Sequence, residues 1–302
     1  MKISQQNKRF IDGWLKRMLT PLVFLISITY LQAATKTSTG TGNWSSSSMW
    51  SPSGVPANTD NVVIRSGDVI TVNGSYTCNN LDIGNITNSN ATVQITSSAK
   101  SLTINGDLTI NAGNKGKTYT LDAGLGTINI AGTITYAGTS GTDIIQVGSG
   151  TVNITPALNI NAAAYKVTCT GAGTINFYSD FTDAQGSLTP YAGCNIYFYR
   201  NYTVSSSTTT WGGNGTAHFG NGSSITCNNN VTFNDFDILP SANVTMIYAA
   251  GNVAVGGSVI LGSGSTFTCN ENITVSGDWT NNGGTFSNPS KTITFDGSSG
   301  II

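Results

Sequence analysis

The patterning of this sequence places it in the all-β class. It predicts a right-handed parallel β-helix, a solenoid of short strands behind an irregular N-terminal cap. Three observations carry the prediction. A frame of apolar-x-apolar, three corner residues, and apolar-x-apolar begins at Leu102/Ile104/Leu108/Ile110. It returns at Ile128/Ile130/Ile134/Tyr136, Val152/Ile154/Leu158/Ile160 and Ile196/Phe198/Tyr202/Val204. Further copies start at Ile225, Val253 and Phe267. A spacing of two is the strand period, and a three-residue break is too short for a helix. The second observation is the length of the repeat. Ile104, Ile130, Ile154, Phe177, Phe198 and Phe219 are 26, 24, 23, 21 and 21 residues apart, within the roughly 20–45 residues of a solenoid repeat and about what is expected of right-handed parallel β-helices. The third is that no stretch after residue 35 has a helical period. The alternative is an antiparallel β-sandwich, for which Asn214-Gly215 and Asn221-Gly222 would supply hairpin turns.

In chain order, residues 1–33 read as a secretory signal peptide. Lys2, Lys8, Arg9, Lys16 and Arg17 form a basic start, and Leu19 to Leu31 an apolar run too short for a comfortable membrane span. Gln32-Ala33-Ala34 supplies small residues for cleavage. Cleavage would leave 8 basic against 13 acidic residues, a net charge of −5. Such a surface suits neither nucleic acid nor anionic lipid, so no nucleic-acid partner and no stable membrane insertion are expected after cleavage. Residues 34–60 form a capping segment, in which Pro52, Pro56 and Gly54 rule out a regular helix. Its two tryptophans, Trp44 and Trp50, suit a lid over the first coil, since a solenoid must cover its terminal rung. Residues 61–302 are the β-helix repeats. They break off partway through a frame and are expected to continue beyond the C-terminus.

Two stretches carry a resemblance. Trp50-x-Pro52-x-x-Val55-Pro56, Asp60-x-Val62-x-Ile64, Gly67, Ile70-x-Val72 and Leu81-x-Ile83 resemble the opening of large secreted bacterial surface proteins and of the extracellular domain named for its eight glycines. Ile273 to Phe286, with Trp279 at its centre, and Thr292 to Gly297 resemble repeats in adhesin-like surface proteins of bacteria that use type IX secretion. The resemblance covers about a third of the chain. It implies an exported, β-helical, surface-associated protein, and it carries no catalytic residues.

The composition narrows the chemistry further. Charged residues make up 9% of the chain, against roughly 25% in an average soluble protein. There is one His (His218) and one Glu (Glu271), and no cofactor or metal site is expected. The five cysteines show no metal-ligand spacing. Cys227 and Cys269 fall at inward positions of the frame, Cys78 has a similar setting, and Cys169 with Cys194 is the pair expected to bridge if any does. Acid–base catalysis would need paired carboxylates, and the candidates are Asp180/Asp183 and Asp235/Asp237. Asp is common at solenoid corners for turn chemistry alone, and the nearest basic residues in sequence are Lys166 and Arg200.

The outward positions are mostly Thr, Ser and Asn. Rows built from Thr103, Thr109, Thr127, Thr133 and Thr135 would suit an ice-binding solenoid, although strand propensity explains them as well. The exception is aromatic. With Ile175, Phe177, Ile196 and Phe198 inward, Tyr178, Tyr197 and Tyr199 face outward beside Arg200. A 21-residue offset stacks Tyr178 on Tyr199 and Tyr197 on His218. These five residues are the candidate glycan-binding patch, because the apolar faces of sugars stack on tyrosine. The expected function is that of a secreted, non-catalytic structural or adhesive protein at the cell surface, with extracellular glycans or matrix polymers as partners. A carbohydrate-active β-helical enzyme is the alternative.

Overall fold

The computed structural model of the protein describes residues 33–84, 89–111, 116–137, 141–205, 209–210, 214–247, 252–289 and 291–298. Within residues 34–302 the chain winds as a parallel β-solenoid of about ten turns. Strands recur on three faces, and each pairs with the strand one coil earlier and one coil later. Face three is a single ten-stranded sheet from Ser75–Cys78 to Trp279–Asn281. Face one begins at Thr35–Ser38 and face two at Gly42–Asn43, and the hydrogen-bonded ladder of each is interrupted once. Among the described residues the one antiparallel pairing joins Thr35–Ser38 to Trp50–Ser51. The sandwich alternative therefore does not hold. Asn221-Gly222 turns a corner between Thr216–Phe219 on face three and Ser224–Cys227 on face one, where no hairpin forms.

The register places Ile130 opposite Ile104 and Ile154, Phe177 opposite Ile154 and Phe198, and Phe219 opposite Phe198. The repeat of 26, 24, 23, 21 and 21 residues is thus the coil itself. The sequence frame describes only part of each coil. It reads two strands, and each coil has three. Moreover, its copies fall on different corners of the triangle. Thr127–Ile130 and Ile134–Tyr136 join face three to face one, whereas Ser224–Cys227 and Val231–Phe233 join face one to face two.

The interior is a continuous apolar stack. Phe177 and Phe198 lie 5.3 Å apart with planes 7° from parallel, and Phe198 and Phe219 lie 5.2 Å apart. Cys78, Cys227 and Cys269 are buried and free, and Cys169 is bridged to Cys194, which ties two successive coils together. Burial pushes the Cys78 and Cys227 thiols up to about 12 and Cys269 up to about 11, because a thiolate there would lose its hydration.

Both ladder interruptions have a proline beside them. Between Ile134–Tyr136 and Leu158–Ile160 lies Pro156, at the corner position that Gly106 and Gly132 hold in the two earlier coils. Ile134 and Tyr136, at 9%, are the most exposed members of the core. The face-two interruption follows Ser187–Pro190. Inward residues such as Ala123 donate their N–H to the next coil, and the inward Pro190 cannot.

The first rung is closed by its own chain. Trp50–Ser51 covers the outer edge of Thr35–Ser38, Trp44 and Trp50 pack edge to face at 5.1 Å, and Trp50 Nε1 donates to the Trp44 carbonyl. Lys36 Nζ donates to the Pro52 and Ser53 carbonyls at 3.1 Å each. Even this capping segment therefore contributes ladder strands.

Candidate functional site

Tyr178 and Tyr199 each follow directly on a face-three strand, Thr174–Phe177 and Asn195–Phe198, whose inward residues fill the core. Alternation then sends Tyr197 outward, and the 21-residue register brings the rings of adjacent coils together. Tyr178 and Tyr199 stack at 5.1 Å and 5°, and Tyr197 and Tyr199 at 6.1 Å and 10°. Tyr197 lies on the His218 ring at 4.3 Å and 10°. The coil that follows Tyr199 has Gly220 at the matching position, where a Cβ would stand 2.9 Å from Tyr199 Cδ1. The glycine leaves room for the Tyr199 ring. Burial, then the neighbouring Tyr178 and Tyr197, hold the Tyr199 hydroxyl above its usual range. Tyr178 is 44% exposed, and Arg200, which follows Tyr199 in the chain, is exposed.

His218 is fixed at both ring nitrogens. Nδ1 is 2.8 Å from Asp237 Oδ2, and Nε2 is 2.9 Å from Asn195 Oδ1. Both neighbours present an oxygen to the ring. Asp237, read from the sequence only as a candidate acid, is here the partner of His218, and Asn195 and three further asparagines are parts of the site that sequence reasoning missed. Asn129, Asn153 and Asn176 form a ladder that leads up to Tyr197 in the same outward column. Asn153 Nδ2 donates to Asn129 Oδ1 at 2.7 Å, and Asn176 Nδ2 to Asn153 Oδ1 at 2.8 Å. Their spacing of 24 and 23 residues is the coil length at that point, which was the available signal.

The two candidate acid pairs are not brought together in one place. Asp180 sits at a corner and accepts the Asn201 N–H at 3.2 Å. Asp183 points inward on face one, 1% exposed, in register with Ile160 and Val204. Asp235 and Asp237 share the outer side of a face-three strand, and Asp235 accepts the Ser258 N–H at 2.8 Å. Three of the four are thus engaged in corner or column contacts. Lys166 lies on face two, away from both pairs in the coil order. The threonine rows also divide: Thr103 and Thr127 fall in different columns of face three, and Thr109 and Thr135 pair on face one. Among the described residues no group of three or more His, Cys, Asp or Glu side chains is placed to hold a metal ion.

Compared with known proteins, the chain matches no family model, no curated protein and no solved structure.

Proposed function

We propose that this chain is a secreted, non-catalytic structural or adhesive module of a bacterial surface, which presents its faces to extracellular glycans. The observation that carries this reading is the stacked aromatic patch of Tyr178 and Tyr199 in one column and Tyr197 and His218 in the next, on the outside of face three. The rings are preorganised by the coil register, so a sugar that stacks on them meets little ordering cost. Arg200, Asn195 and the His218–Asp237 pair stand at the margin of the rings, where hydroxyl groups need partners. Each contact is weak, and affinity for a polymer would come from several engaged at once. The stack also stabilises its own strands, by about 0.2–1 kcal/mol per pair, so binding has to be tested separately from folding.

The test is a glycan array together with a surface-attachment assay, using the wild type and the variant with Tyr178, Tyr197 and Tyr199 replaced by Ala. The expected result is binding that falls by about tenfold or more in a variant that still folds. Absence of any glycan binding, with attachment unchanged in the variant, overturns the reading. Residues 1–32 lie outside the described residues, and export through the signal predicts a mature N-terminus near Ala34, read by mass spectrometry.

A further inference from the structure

On the opposite corner of the triangle, between faces two and three, four successive coils form a groove of about 410 Å³. Its floor is backbone. Gly124, Gly148 and Gly171 occupy the turn in consecutive coils, and a Cβ on them would stand 2.1, 2.8 and 3.0 Å from the carbonyl oxygens of Ile95, Gly124 and Gly148. Coil stacking therefore demands glycine there, and no side chain rises from those positions. One wall is polar. Gln94 and Asp122 are adjacent in one outward column, where Asp122 accepts Gly124 N–H at 2.7 Å and Gln146 Nε2 at 3.1 Å. The other wall carries Leu125, 49% exposed, with the Ser149 hydroxyl beyond it.

We propose that this groove is a second binding site, for a neutral oligosaccharide that runs along the solenoid axis. The volume lies within the roughly 300–1,000 Å³ of small-ligand clefts. One polar wall, with the Gln94 amide and the Asp122 carboxylate, and one aliphatic wall match a pyranose ring, which has hydroxyls at its rim and a C–H face. Successive coils are about 4.8 Å apart, and an extended β-linked pyranose chain advances by nearly the same distance per ring. A peptide would need an open strand edge to pair with. Here the backbone is already engaged between coils, as in Gly148 N–H to Gly124 O at 3.0 Å and Thr170 N–H to Val147 O at 2.8 Å. The Asp122 carboxylate, in a chain of net charge −1, turns away acidic polymers.

The site is independent of the tyrosine column and stands or falls without it. The probes are cello-, chito- and manno-hexaose, titrated into the full chain and followed by amide NMR shifts. At least one is expected to shift Leu125 and Ser149. Ser149→Trp, which fills the groove from an exposed turn, is expected to weaken that binding about tenfold, with thermal melting to confirm folding. Tyr199→Ala is expected to leave it unchanged. If none of the three sugars shifts the groove residues, or Ser149→Trp binds as well as the wild type, the proposal is overturned. Loss in Tyr199→Ala with retention in Ser149→Trp assigns the binding to the tyrosine column instead.

Discussion

The buried thiols show how position fixes chemistry at the residue scale. Cys78 and Cys227 have folded values raised to about 12 by burial, against an ordinary value of 9.0. The folded state then holds its protons where the unfolded chain has lost them. Stability from these groups is complete below about pH 9 and falls as pH rises toward 12. Tyr136, Tyr165 and Tyr199 are also raised, first by burial, and add the same sign at higher pH. Denaturant titrations at stepped pH should show this alkaline loss, and Cys78→Ala should flatten part of it. A wild type whose unfolding free energy stays level from pH 9 to 12 would count against it. The same parity that marked Cys227 and Cys269 as inward was available for Asp183, two residues after the inward Phe181. Its acidity drew it toward a catalytic reading, and the alternation of the strand buries it.

Among elements, the strands themselves were legible and their grouping was not. Inward alternation depends on local spacing alone, so Leu102/Ile104 or Ile196/Phe198 announce themselves. The early face-two strands Ala91–Gln94 and Thr118–Asp122 follow longer connections, which the three-residue frame does not span, whereas Val231–Phe233 and Ile273–Val275 on the same face fall within it. The tyrosine stacks were legible because both members keep one coil offset. The corner groove was not, because its walls come from four coils and its emptiness from backbone contacts between them. The prolines show the limit in another way: Pro156 reads as an ordinary turn residue until the coil register sets it beside the interrupted ladder. Leu108 N–H donates to the Thr133 carbonyl at 2.9 Å, whereas the ladder fails between Ile134–Tyr136 and Leu158–Ile160. Hydrogen exchange should therefore be faster at the Ile134 amide than at Leu108. Equal protection at the two amides would mean that the ladder is intact there.

For the solenoid as a whole, stability is close to a sum over neighbouring coils, since each rung touches only the next. Its first and last described rungs are unlike. The first is sealed by Trp44, Trp50 and an antiparallel strand, whereas Trp279–Asn281, Thr285–Ser287 and Ile293–Phe295 are the outermost strands of their sheets. Phe295 is 41% exposed, and Lys291 Nζ approaches Glu271 Oε2 at 3.9 Å across this rung. Under tension, such a molecule is expected to yield coil by coil, with the rung sealed by Trp44 and Trp50 among the last of the described coils to open. Each coil released would add about 70–85 Å of contour, from some 20–25 residues at about 3.4 Å each. Single-molecule pulling should give a regular staircase that stalls where Cys169–Cys194 locks two coils together, and reduction should remove the stall. One abrupt rupture of the whole body would rule out rung-by-rung release. The sealed first rung thereby acquires a mechanical meaning: it is a fastened end for load, a shock absorber's fixed mount from which the neighbouring coils pay out their length.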